Sequence, residues 1–170
     1  MPYTTNINFA EQATSTLVNN LSYVTPSSFR LVIDSQKYPN AQYMIQTVAL
    51  PDMSVTPATL NTPQRNIGFL PDKIEYSDMD LTFLVDEDMT NYKEIHDWML
   101  GLVTESDEGV RKARDITLQV MNSHNNVTNE ITFVSAFPVN LSSLPFDATT
   151  TDVEYLTANV TFHYSYFKFK

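Results

Sequence analysis

Residues 153–170 carry an alternation that runs longer than an ordinary strand. Leu156, Ala158, Val160, Phe162, Tyr164 and Tyr166 share one face, and Tyr155, Thr157, Asn159, Thr161, His163 and Ser165 share the other. A period of two is the mark of a strand whose faces meet different surroundings. At ~3.3 Å per residue the segment extends to roughly 50–60 Å, well beyond the usual strand of about five or six residues. Such a strand needs hydrogen-bonding partners along its whole length, because a long unpaired edge is an aggregation hazard. One face is apolar and the other polar but uncharged, which suits a sheet with a packed side and a wet side.

The rest of the body follows the same period. Phe29, Leu31 and Ile33 predict a strand, and so do residues 42–50, where Met44, Gln46, Val48 and Leu50 oppose Tyr43, Ile45, Thr47 and Ala49. Met79, Leu81, Phe83 and Val85 alternate with Asp80, Thr82, Leu84 and Asp86. Ile116, Leu118 and Val120 mark another strand, and Ile131, Phe133 and Phe137 the next, with the polar run 122–126 turning the chain between them. With three Gly against nine Pro, few positions adopt positive φ freely, so tight primed hairpins should be scarce.

Two segments break the period. From 91 to 103, Tyr92, Ile95, Met99 and Leu102 recur at helical spacing beside Trp98, and Asn91 followed by Glu94 reads as an N-cap. Tyr92, Ile95, Trp98 and Met99 are the expected core of this helix, whose place is over one face of a sheet. Residues 51–78 hold Pro51, Pro57, Pro63 and Pro71 and read as a long extended loop. Loops longer than about 12 residues inside compact domains are usually functional, here through contact with a neighbour. Residues 1–27 are polar and read as an N-terminal arm, with residues 28–170 as a single domain. Leu17, Val18, Leu21 and Tyr23 in that arm are open to two readings, an interface strip or a frayed terminus.

Chemistry is sparse. His96, His124 and His163 lie far apart, and no phosphate-binding glycine loop, nucleophile elbow or metal-ligand spacing is present. No catalytic, cofactor-binding or metal residue is therefore assigned. Asp78, Asp80 and residues 86–88 read as a solvated acidic strip rather than a cation loop. The acidic run at 105–108 followed by Arg111, Lys112 and Arg114 is either a contact with a neighbour or an exposed linker. The formal charge of −10 disfavours specific nucleic-acid binding, though not a surface along which nucleic acid slides. With no cysteine the redox compartment is unreadable, and with no apolar leader or run of ~18 apolar residues the expected compartment is the cytoplasm and no membrane is involved.

The order of the pieces resembles a known family. A strand ends in Val48-Ala49-Leu50-Pro51, a long loop and an alternating strand follow, and then come an acidic turn and a helix with Tyr92 and Trp98. Two further strands precede Thr157, Val160, Thr161, Phe162 and Tyr164. Over about residues 28–166 this is similar to the tail tube proteins of contractile-tailed bacteriophages, including the tube-initiating baseplate proteins. The resemblance implies a mainly β fold, a small barrel or sandwich of antiparallel strands with one flanking helix. It further implies hexameric rings, stacked into a tube inside a contractile sheath, through which the tape-measure protein and then genomic DNA pass. The expected location is the virion tail, after assembly in the host cytoplasm, with sheath, tape-measure and baseplate proteins as partners. The loop at about 52–72 would reach the adjacent ring through Val55, Pro57, Leu60, Pro63 and Arg65. Thr157, Asn159 and Thr161 would face the lumen. Alternatives are an initiator or terminator of the same tail and, more distantly, a monomeric ligand-binding β-barrel.

Overall fold

The computed structural model describes residues 23–33, 44–71, 73–104, 113–149 and 155–170. Seven strands form one antiparallel sheet: β1 (Phe29–Val32), β2 (Ile45–Val48), β7 (Met79–Leu84), β8 (Arg114–Met121), β9 (Val127–Leu141), β10 (Thr157–His163) and β11 (Tyr166–Phe169). The spatial order is β1-β8-β9-β10-β7-β2, with β11 also on β9. Leu31, Ile116 and Ile131 from one half and Leu81, Phe83 and Val160 from the other lie in one buried cluster. The sheet is thus folded over on itself.

The fold turns on β9. It bulges at Ser135, where φ is 56°, and again opposite the step from Thr161 to Phe162. Each bulge shifts the inward parity, so Ile131 and Phe133 are followed on the buried side by Ala136 and Pro138. Bulges bend a strand and raise its twist, which is how an open sheet curls. Phe137, which the spacing pairs with Phe133, instead faces outward, its ring 5.5 Å from His163. The Asp115 carboxylate pins the first bulge by accepting a hydrogen bond from the Ser135 amide at 3.0 Å.

The long C-terminal strand is broken and finds its partner within the chain. Phe162 opposes Pro138 and Phe167 opposes Phe133 in one continuous register along β9, with the kink at Tyr164 and Ser165 facing the Ser135 bulge. Past that kink the parity changes. Phe167 packs against the core and Tyr166 points outward, the reverse of what strict alternation predicts.

Strand β2 is shorter than predicted, and an extra residue between Ile45 and Thr47 disturbs its pairing with β7. Ile45 and Val48 both reach the core as a result, although alternation puts them on opposite faces. The turn at 122–126 forms as expected, Asn125 supplying the left-handed φ of 59° that glycine would otherwise provide. The helix, α1, spans Thr90–Thr104. Asn91 lies inside its first turn and is not the cap. Its buried amide donates to the Leu84 carbonyl at 2.7 Å and accepts from the amides of Asp86 and Tyr92. The side chain thereby satisfies the end of β7, in keeping with the rule that buried polar groups are paired. Ile95 and Trp98 are buried, the Trp98 ring 5.7 Å from Phe162.

Candidate functional site: a projecting arm and a polar sheet face

Residues 51–78 are not a structureless loop but a two-tier β-hairpin. Its base pairs β3 (Met53–Val55) with β6 (Ile74–Tyr76), and its outer tier pairs β4 (Thr59–Asn61) with β5 (Asn66–Gly68). The tip is closed by Thr62, which donates its amide to the Arg65 carbonyl at 3.2 Å and its hydroxyl to the same oxygen. Proline within the turn fits because its φ is already set for it. Three-residue strands are too short for a period to register in the sequence, which is why this segment reads as loop.

The arm is apolar and exposed. In the base, Val55 stands opposite Ile74 and Met53 opposite Tyr76; in the outer tier, Leu60 stands opposite Ile67. Leu60 is 53% exposed, Phe69 55% and Leu70 91%. Of the other residues assigned to a neighbour contact, Pro57 lies in the joint between tiers, and Pro63 and Arg65 lie at the tip, all exposed. A two-stranded ribbon is at best marginal alone, and a contiguous exposed apolar patch of this kind marks an interaction surface.

The arm meets the body at an aromatic and acidic root. The Tyr76 ring lies 5.4 Å from Phe167, nearly edge-on, and 6.1 Å from Tyr164, and Phe133 backs Tyr164 at 5.1 Å. The Ser77 hydroxyl donates to Asp52 across the neck of the hairpin, and His163 Nδ1 lies 2.7 Å from Asp78. Tyr164 is 4% exposed, and among the described residues its hydroxyl has no hydrogen-bond partner. Burial, then the negative charge of Asp78 with Tyr76 and Asp52 beyond it, pushes its phenol from 10.0 up to about 12.

That shift has a signed consequence. A raised folded-state value means that the neutral phenol is favoured by folding. The stability is then fully present below about pH 10 and is lost as the pH climbs toward about 12. Tyr164→Phe is expected to keep its stability at neutral pH, since the lost hydroxyl makes no bond. Its unfolding midpoint should also fall less steeply across that alkaline window. Thermal unfolding followed at stepped pH checks this, and equal slopes for both proteins would refute it.

The second surface is the outer face of β10 and its neighbours. Ala158, Val160 and Phe162 point inward, while Thr157 and Asn159 are exposed and Thr161 is half-buried on the other side. The Thr82 hydroxyl donates to Asn159 at 2.8 Å, and the Thr161 hydroxyl donates to Asp80 at 2.7 Å. Thr47, Asn140 and Ser142 continue this face beside them. It is polar and mostly neutral, with the Asp80 carboxylate among its residues. On α1, Tyr92 donates its hydroxyl to the Ser142 carbonyl at 3.0 Å, and Met99 lines a shallow apolar groove with Leu100, Val103 and Leu141. His96 pairs with Asp97 at the exposed surface, and among the described residues no three side chains group as metal ligands. The predicted contact residues Val55, Leu60, Pro63 and Arg65 thus lie on one arm. Thr157, Asn159 and Thr161 lie on one strand face, and Tyr92, Ile95, Trp98 and Met99 on one helix.

The described residues thus form a folded-over antiparallel sheet with a packed helix and a projecting hairpin. Among solved structures, the chain resembles one from a PVC sheath-tube complex in its extended state, with a TM-score of 0.67 at 17% identity, covering 88% of this chain and 93% of that one. It also resembles the tube-terminating cap of the anti-feeding prophage, with a TM-score of 0.69 at 15% identity, covering 92% and 97%. The PVC sheath/tube terminator gives a TM-score of 0.68 at 19% identity, covering 89% and 99%. These identities establish the fold alone. No curated protein sequence matches at a significant level. The family model described as phage tail tube protein matches residues 3–170, and the chain belongs to that family. The family is one of tail tube proteins, and the structural relatives come from a sheath-tube complex, a tube-terminating cap and a sheath/tube terminator.

Proposed function

We propose that this chain is the repeated, non-catalytic subunit of a phage tail tube, closing into hexameric rings that stack inside a contractile sheath. The observation that carries the reading is the arm. Its exposed Val55, Leu60, Ile67 and Ile74 have nothing to bury them within the described chain, and a second copy in the next ring is the natural partner. Among the described residues, β1 and β2 pair on one side only, so ring closure through sheet edges would remove the hazard that they present. Contacts that close in one direction and repeat in the other generate a tube.

In this reading the face bearing Thr157, Asn159 and Thr161 lines the lumen. A wet, mostly neutral surface with a few carboxylates does not hold a polyanion, so the tape-measure protein and then genomic DNA pass without being trapped. Sheath and baseplate proteins are the outer and end partners, and the assembled protein resides in the virion tail. A second reading, a terminator or cap ring of the same tail, is favoured by the likeness to the two terminating proteins.

Negative-stain electron microscopy of the purified chain tests both. Rings and long tubes with a central hole are expected for the repeated subunit, and rings that never elongate for the terminator. A protein that stays monomeric at high concentration would overturn the assembly reading.

A further inference from the structure

We propose that Tyr76 is the positioning residue of the arm, setting the angle at which the hairpin leaves the body. The inference rests on the reading of the arm as the ring-to-ring contact. The root is tied to the body by the neck at Asp52 and Ser77, by Asp78 against His163 and by the Tyr76 ring, and of these it is the ring that packs on the body's aromatic side chains, Phe167 and Tyr164.

The seat is built by two irregularities that face each other. Strict alternation along the C-terminal strand would turn Tyr164 and Tyr166 inward. The kink at Ser165, whose amide donates to Val134 at 3.0 Å, instead brings Tyr164 and Phe167 to the same side. The Ser135 bulge in β9 does the same for Phe133 and Ala136, and Phe133 closes the back of the seat 5.1 Å from Tyr164. The last strand of the chain thereby serves as a platform for a hairpin ninety residues earlier, since Phe167 and Tyr76 lie 91 positions apart.

Leverage makes the seat matter. From β3 to the tip is about ten residues, or about 30 Å of extended chain, so a tilt of about 10° at the root moves the tip by about 5 Å. Close-packed apolar surfaces lose their contacts over far smaller gaps. The tilt at Tyr76 therefore decides whether Leu60 and Ile67 meet their partner surface. An edge-on aromatic contact is directional, which a merely apolar one is not.

The test compares five proteins by thermal unfolding and by the concentration at which sedimentable tubes appear: the parent chain, Tyr76→Ala, Tyr76→Phe, Phe167→Leu and the tip variant Leu60→Asp/Ile67→Lys. Tyr76→Ala is expected to stay folded and form rings, but to need at least tenfold more protein to build tubes. Tyr76→Phe should restore the parent behaviour because it keeps the ring. Phe167→Leu, which retains apolar burial without the edge-on contact, should raise the threshold as Tyr76→Ala does. If the tip variant blocks tubes while Tyr76→Ala and Phe167→Leu build them normally, Tyr76 does not aim the arm. Unfolding of the body in Tyr76→Ala would also overturn the inference, because Tyr76 would then be a core residue rather than an aiming one. If the tip variant itself builds tubes normally, the arm is not the stacking contact and the underlying reading falls instead.

Discussion

Phe162→Ala is expected to lower the stability of the folded body by about 3–5 kcal/mol, enough to leave much of the protein unfolded at physiological temperature. The side chain is fully buried on β10, the strand that joins β9 to β7, and its ring lies 5.7 Å from Trp98. Removing it opens a cavity between the sheet and α1. The neighbours cannot readily collapse into that cavity, because Pro138 opposite is held in a bulged strand. Chemical denaturation should show a lower midpoint with an unchanged slope. Phe162→Leu, which keeps most of the volume, should lose under about half as much. A loss below about 1 kcal/mol for the alanine variant would mean that the helix is not held through this contact.

The tip variant Leu60→Asp/Ile67→Lys is expected to abolish tubes while leaving the monomer's unfolding midpoint nearly unchanged. Leu60 and Ile67 are cross-strand partners, so the two introduced charges attract each other and the outer tier keeps a favourable pair. Neither side chain belongs to the buried core. On the proposed stacking contact, what is lost is apolar burial against the next copy. Fully burying an exposed aliphatic side chain contributes about 1.5–3 kcal/mol, and with Leu60 53% and Ile67 37% exposed the loss of both raises the assembly threshold by at least about tenfold, before the cost of burying the introduced charges. Sedimentation and electron microscopy read the outcome. Normal tubes from this variant would show that stacking uses another surface.

The elements legible in the sequence were those whose signal lies within one strand or one helix. The alternation of Met79, Leu81 and Phe83, of Ile116 and Leu118, and of Ala158, Val160 and Phe162 predicts their burial, and each is buried. The helix at 91–103 was readable from its apolar spacing, and the turn at 122–126 from its asparagines. The fold departs from simple alternation where one extra residue changes parity. The bulges near Ile45 and Ser135 and the kink at Ser165 turned Phe137 and Tyr166 outward, while Ile45, Val48 and Phe167 turned inward. A bulge is decided by the partner strand, and no periodicity in its own strand reports it.

The arm shows the same division. Its prolines and exposed position in a long inter-strand segment were visible, whereas its two ladders were not, since strands of three residues carry no period. Tyr76 had no local signal at all. Its seat is assembled from residues 133, 164 and 167, which the chain brings together only once β9 and the C-terminal strand have paired. A mainly β chain with a helix, an alternating C-terminal segment and a long proline-bearing stretch between strands is legible from the residues alone. That the C-terminal strand kinks and pairs along β9, and that the proline-bearing stretch is a hairpin seated on that kink, follows from how the strands meet in three dimensions. The physical reason is that side-chain period is a local property of the backbone, while register and bulges are properties of pairs of strands.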